Sequence, residues 1–289
     1  MFGSWQLVLS SLPSLFGTSP LAFGTWAIAL GFSVALLVLW LIYVRLFCRF
    51  GPLQIILWIA ANVLVRWQWR AKLPRSLPIP DDQGAVIVCN HRSSIDPFFL
   101  QTVSHRKIFW MVAREYVQHP LFGFVLRICE VIPVGRSGVD TAATKAALRH
   151  TAAGGLVGMF PEGRINMTEQ LLLPCRPGAV VVALKSRVPL LPVYIQGSPY
   201  RKTPWSPFLM RARVEVRVGE LIDMAEFYGR HDEPEIVQQL MLRVLRQICI
   251  LAGQPDFEIK LAGRNWKPTA EEIAADVAAS EERRKKQDR

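Results

Sequence analysis

The stretch AVIVCNHRSSID, residues 85–96, decides how the rest of the chain is read. Its first five residues, Ala85 to Cys89, form an apolar run of strand length, rich in β-branched side chains, which reads as a strand buried on both faces. The run breaks at once into the polar loop Asn90, His91, Arg92, Ser93, Ser94 and Ile95, and a helix is expected over 96–104. A strand running through a polar loop into a helix is the unit of an α/β sheet, and such sheets handle ligands at that carboxyl edge. Outward from it, short apolar runs at 108–112, 131–134, 156–160, 190–195 and 214–218 alternate with helical patterns at 121–129, 140–153, 178–186 and 234–252. The expected fold class is α/β, with a mixed, mostly parallel sheet flanked by helices and an N-terminal membrane-anchoring helical segment. Prolines at 74, 78 and 80 mark a boundary, dividing the chain into 1–80, an anchor and interfacial helix; 81–265, the α/β domain; and 266–289, a polar tail.

Charge is distributed unevenly over the 289 residues. Residues 1–44 carry no charged side chain, 45–80 carry six Lys or Arg and no acid, and 81–289 carry 28 basic against 23 acidic residues. More than half of the formal +11 therefore sits directly behind an apolar segment, which argues for a membrane flank and against a nucleic-acid partner. Thr25 to Val44 is long enough as a helix to span about 30 Å of hydrocarbon. Arg45, Arg49, Arg66, Arg70, Lys72 and Arg75 behind it place the following domain on the cytoplasmic side by the positive-inside rule. A second apolar run, Pro52 to Val65, is short for a crossing and reads as interfacial, with Trp58, Trp67 and Trp69 at headgroup depth; a second crossing would invert the sidedness. The five cysteines, at 48, 89, 129, 175 and 249, form no close pair and suggest neither a disulfide framework nor a zinc site.

Five positions separate His91 from Asp96, so a tight turn brings the carboxylate to one ring nitrogen and leaves the other to take a proton. The spacing alone is a weak signal. Its company strengthens it: Phe160-Pro161-Glu162-Gly163-Arg164 follows another strand, Arg136 ends the run VIPVGR (131–136) beyond a third, and VPLLPV (188–193) contains a fourth. Each alone also has a structural reading, Arg136 as a surface ion pair, Glu162 as a turn residue and the prolines as strand punctuation. No Gly-x-Ser-x-Gly elbow, Walker A, His-Glu-x-x-His or Gly-x-Gly-x-x-Gly motif is present.

Taken in order, NHRSSID, VIPVGR, FPEGR and VPLLPV resemble the four blocks of the glycerophosphate/lysophospholipid acyltransferase family, specifically the 1-acylglycerol-3-phosphate acyltransferases, over roughly residues 80–220. The resemblance implies a catalytic pair at His91 and Asp96, and acceptor-phosphate binding at Arg136 and around Glu162, Gly163 and Arg164. Arg114, before Glu115, and Arg92 are further substrate-binding candidates. It also implies an acyl thioester donor, acyl-CoA or acyl carrier protein, a lysophospholipid acceptor held at the bilayer, and no cofactor or metal. One departure stands out: the third block of that family commonly reads Phe-Pro-Glu-Gly-Thr-Arg, whereas Arg164 here follows Gly163 directly. The acceptor therefore stays open between lysophosphatidic acid and glycerol-3-phosphate, a head-grouped lysophospholipid or a lyso-aminolipid. A membrane-anchored lipid hydrolase and a non-catalytic lipid-binding protein are the readings from other classes. The sequence specifies no oligomeric state.

Overall fold

The structure is a computed structural model that describes residues 20–47, 50–135, 140–201 and 203–263, with two isolated positions, 274 and 278, in the tail. The helix expected after Lys267 lies outside the described residues apart from those two. By internal contacts the chain divides into Met1–Phe47 and Cys48–Arg289. In the first unit a single helix, α1 (Pro20–Phe47), is described. Its segment Gly24–Tyr43 has a mean hydropathy of 2.3 and the length and composition to cross a membrane. Trp26, Ile28, Leu30 and Phe32 are all exposed on it, as suits a helix whose solvent is lipid.

The second unit is built on a six-stranded sheet among the described residues: β1 (Ala85–Cys89), β2 (Ile108–Ala113), β3 (Ile132–Val134), β4 (Leu156–Met159), β5 (Leu190–Gln196) and β6 (Glu215–Val218), in the spatial order β3-β2-β4-β1-β5-β6. Strands β1 to β5 run parallel and β6 is antiparallel to β5. The expected α/β sheet is thus observed. All five residues of β1 are buried, Val86 and Val88 in one core and Ala85, Ile87 and Cys89 in the other, because a central parallel strand has helices over both faces.

The first face is covered by α6 (Thr141–Ala152), α7 (Gly178–Ser186) and α8 (Pro234–Leu251), through Ala143, Ala147, Val180, Leu184, Leu240 and Val244. The second is covered by α3 (Asp96–Gln101), together with Val65, Trp69 and Ile79 from the segment ahead of the sheet. That segment carries α2 (Pro52–Val63) and a π-helical turn, Leu64–Gln68. Residues 50–80, grouped with the anchor on sequence, therefore pack with the sheet. Trp69 is wholly buried, its ring against Phe98, Phe99 and Phe208, whereas Trp67 is 81% exposed. A helical turn separates these neighbours to opposite sides, which a grouping by residue type does not capture.

Two helices differ from expectation for local reasons. α3 stops at Gln101 rather than Ser104, because Thr102 bonds back to the Phe99 carbonyl and Ser104 engages both backbone groups of Arg106. The helix expected over 121–129 is preceded by a short one, α4 (Arg114–Gln118), before α5 (Pro120–Ile128). His119 between them is held extended by the proline that follows it.

Gly158 of β4 pairs in register with Trp110 of β2, and a Cβ at this glycine would lie 2.5–2.7 Å from three atoms of the indole. Trp110 is buried, so the ring cannot swing clear. Gly158→Ala should cost about 1–3 kcal/mol by overpacking. At roughly 2–4 °C per kcal/mol, differential scanning fluorimetry would register a lower Tm, and an unchanged Tm would show that the indole can shift freely.

Candidate active site

The polar loop after β1 folds around a buried carboxylate. Asp96, with no exposed surface, directs Oδ2 at His91 Nδ1 (3.0 Å) and accepts the backbone N–H groups of Arg92 (2.7 Å) and Ser93 (2.8 Å) on the same oxygen. An ionised carboxylate only accepts, so the proton of a neutral His91 sits on Nδ1 and Nε2 is the basic nitrogen. Glu162, reached from β4, accepts the His91 N–H on Oε1 (2.7 Å) and the Leu173 N–H on Oε2 (2.9 Å). The His91 carbonyl accepts the N–H of Asn166 (2.7 Å), so both backbone groups of the histidine are tied to the chain that follows β4. Asn90 extends the β1–β5 pairing by one side chain, donating to the Ile195 carbonyl and accepting its N–H.

The imidazole is also held from its face. His91 stacks on Phe160 at 3.9 Å between ring centroids and 12° between planes, and Phe160 stacks on Trp110 at 4.8 Å and 16°. Neither ring was assigned a role on sequence. The signal was present in Phe160, which opens the FPEGR block directly after β4, two residues beyond Gly158. The space left above Gly158 is where the Trp110 indole sits, and through that stack a strand glycine sets the plane of the histidine.

Beside this constellation lies a cleft of about 2070 Å³. Phe50, Leu57, Trp58, Ala61, Leu64 and Phe98 line an apolar part of it; Arg164, Arg176, Lys145 and Lys185 contribute basic groups. Of the residues expected in the site, His91, Glu162, Gly163 and Arg164 line the cleft, and Asp96 backs His91. Gly163 adopts φ +68°, the left-handed region that a side chain would strain. Arg92 points away, donating to the carbonyls of Asn166, Thr168 and Gln170 and so fastening the first block to the loop after the third. Arg114 pairs with Asp140 at 2.9 Å and lies outside the cleft lining. Arg136 lies outside the described residues. Among those residues no group of three or more His, Cys, Asp or Glu could hold a metal ion.

Asp140 is the N-cap of α6, accepting from Ala143, and also takes the Gly135 N–H; these donors and Arg114 hold its carboxyl below the usual range. Glu162 behaves oppositely. Burial pushes its carboxyl from 4.5 up to about 7, opposed by the N–H groups of Leu173 and His91 and by the Arg92 charge, and assisted by the Asp96 charge.

These features place a histidine–carboxylate pair beside a large cleft in an α/β domain. Residues 71–196 match the model of the Acyltransferase family. The 1-acyl-sn-glycerol-3-phosphate acyltransferase of Bacillus subtilis is 25% identical over 169 residues, which span 58% of this chain and 81% of that protein. The protein of the same name from Streptococcus pneumoniae is 24% identical over 63% of this chain and 64% of its own length. That from Limnanthes douglasii is 31% identical over 39% of this chain and 41% of its own. The crystal structure of the 1-acyl-sn-glycerophosphate (LPA) acyltransferase PlsC from Thermotoga maritima shares the fold, with a TM-score of 0.52 at 18% identity over 72% of this chain and 79% of that one. Over residues 71–196 the chain is thus similar to the acyltransferases, and it is an O-acyltransferase.

Two outcomes follow. Because folded Glu162 holds its proton more tightly than the unfolded chain does, the stability this brings is complete below pH 4.5 and lost as pH rises through about 7. Glu162→Gln should flatten thermal stability across that window while weakening it at low pH, since an amide offers one acceptor oxygen to two N–H donors. Phe160→Leu removes a stacked ring worth about 0.5–1.5 kcal/mol, and so should lower kcat roughly 2- to 12-fold with little change in KM.

Proposed function

We propose that this protein transfers an acyl group from acyl-CoA or acyl carrier protein to the free hydroxyl of lysophosphatidic acid (1-acylglycerol-3-phosphate), giving phosphatidic acid. The observation that carries the reading is His91, fixed by Asp96 and Phe160 beside a cleft with an apolar part and a basic part. In this reaction Nε2 of His91 removes the acceptor hydroxyl proton as that oxygen bonds to the thioester carbonyl. Asp96 holds the ring and offsets its developing charge. The tetrahedral intermediate then collapses, the C–S bond breaks, and the imidazolium returns the proton to the departing thiolate. The direct route needs no covalent acyl-enzyme.

The apolar part of the cleft, between α2 and the sheet, suits an acyl chain. Arg164 and Arg136 suit the acceptor phosphate, since a guanidinium matches phosphate oxygens two at a time. Arg92 and Arg114 are committed to carbonyls and to Asp140, which favours support over direct contact for both. Membrane attachment through α1, with the catalytic unit on the cytoplasmic face, brings the enzyme to a bilayer-resident acceptor while the donor arrives from solution.

Membranes containing the protein, supplied with labelled lysophosphatidic acid and acyl-CoA, should form phosphatidic acid, and His91→Ala should cut the rate by about 10²–10⁴-fold. An unchanged rate in that variant would remove His91 from the mechanism, and free fatty acid without acylated acceptor would identify a hydrolase. Arg164 stands one place earlier than the family pattern, so acceptors bearing other head groups belong in the same assay; faster turnover of one of them would reassign the substrate. Ala61, buried on α2 where it lines the cleft, gives a further check. Ala61→Phe should shift donor preference toward shorter acyl chains, each excluded methylene being worth about 0.8 kcal/mol.

A further inference from the structure

The segment 197–214 reads GSPYRKTPWSPFLMRARV, an apolar centre between Arg201 and Lys202 on one side and Arg211 and Arg213 on the other, with no acidic residue. The reaction assigns it nothing beyond the side chains that reach the cleft. It is nevertheless firmly built. Trp69 Nε1 donates to the Pro207 carbonyl (3.0 Å), Gln68 Nε2 to that of Met210 (3.1 Å), and the Val214 N–H to that of Trp69 (3.2 Å). The Phe208 ring packs against Trp69 and Phe98. The loop and the π-helical turn are thereby fastened together.

What these two pieces present outward is apolar. Leu209 is 88% exposed and Trp205 46%, while Trp67, on the π-helical turn, is 81% exposed. Trp205 stacks on Phe122 of α5 at 3.9 Å. Arg66, Arg70, Arg201, Arg211 and Arg213 are exposed around them, and residues 50–80, like the loop, contain no acid. Water does not favour a display of large apolar tips, and folded monomers rarely keep one without a partner. Apolar tips flanked by arginines, with indoles among them, match the chemistry of an anionic bilayer interface, which supplies hydrocarbon for the tips and phosphates for the guanidinium groups.

We propose that Trp205 to Leu209, with Trp67 of the adjoining turn, form a docking surface that inserts into an anionic lipid interface separately from α1. Trp205 and Phe208 line the cleft, so this insertion sets a wall of the cleft against the lipid that holds the acceptor. The surface does not depend on which lysolipid is acylated.

The full chain, with Cys48 and Cys129 changed to serine and the other three cysteines left buried, is reconstituted in vesicles containing anionic phosphatidylglycerol. An environment-sensitive fluorophore is attached at Leu209→Cys or, as reference, at Arg243→Cys, exposed on α8 over the opposite face of the sheet. The label at 209 should emit to the blue and be quenched by lipids spin-labelled near the headgroup, while the label at 243 should report water. Arg211→Glu with Arg213→Glu should weaken the loop's insertion roughly 25-fold, about 5-fold for each arginine lost, and so abolish most of that quenching. Acylation of a water-soluble short-chain acceptor should be unaffected by the double reversal, which separates this surface from the proposed reaction. Emission at 209 identical to that at 243, or a blue shift without quenching by spin-labelled lipid, as contact with a protein would give, overturns the proposal.

Discussion

Asp96 has no exposed surface, and one of its oxygens gathers the Nδ1 of His91 and the N–H groups of Arg92 and Ser93. A buried carboxylate needs hydrogen bonds in place of its lost water, and these three supply them at Oδ2, whereas Oδ1 is buried with no hydrogen-bond partner among the described residues. The arrangement forces the loop after β1 into its turn, sets the first residue of α3 at the loop's end and engages Nδ1 of a histidine that lines the cleft. The placement of the His91 ring and the hydrogen bonding of Asp96 Oδ2 are the same set of contacts.

Glu162 provides the second fixed point. Its two oxygens join the backbone of His91 to that of Leu173, across a separation in sequence bridged only because β1 and β4 are neighbours in the sheet. Here burial raises the carboxyl to about 7, in contrast to Asp140 at the start of α6, where backbone N–H donors and Arg114 outweigh partial burial and hold it low. Two acids near one active edge thus do different work according to solvation: one organises the backbone beneath the histidine, and the other closes a loop against Arg114.

The buried core and an exposed apolar surface meet in the segment before β1. Its buried residues, Val65 and Trp69, complete the core over the second face, while Trp67 and the exposed side of α2 keep an apolar surface outside. One helical stretch therefore packs inward and leaves apolar side chains outward, the division set by 3.6-residue periodicity and sharpened by the π-helical turn.

The sequence by itself determined the alternation of strands and helices, the polar loop at the carboxyl edge of β1 and the nearness of His91 to Asp96. These are local matters of period, turn and five-residue spacing; α7 was legible from end to end, and β1 likewise. Only the tertiary structure decided that Arg92 turns to three carbonyls, that Arg114 is spent on Asp140 and that Phe160 and Trp110 carry the imidazole. It also moved residues 50–80 from the anchor to the sheet. Residue type gives an arginine its charge and an indole its apolar ring, but which atoms meet them depends on strand order and register, which bring together residues seventy positions apart and leave no trace in the spacing of either one.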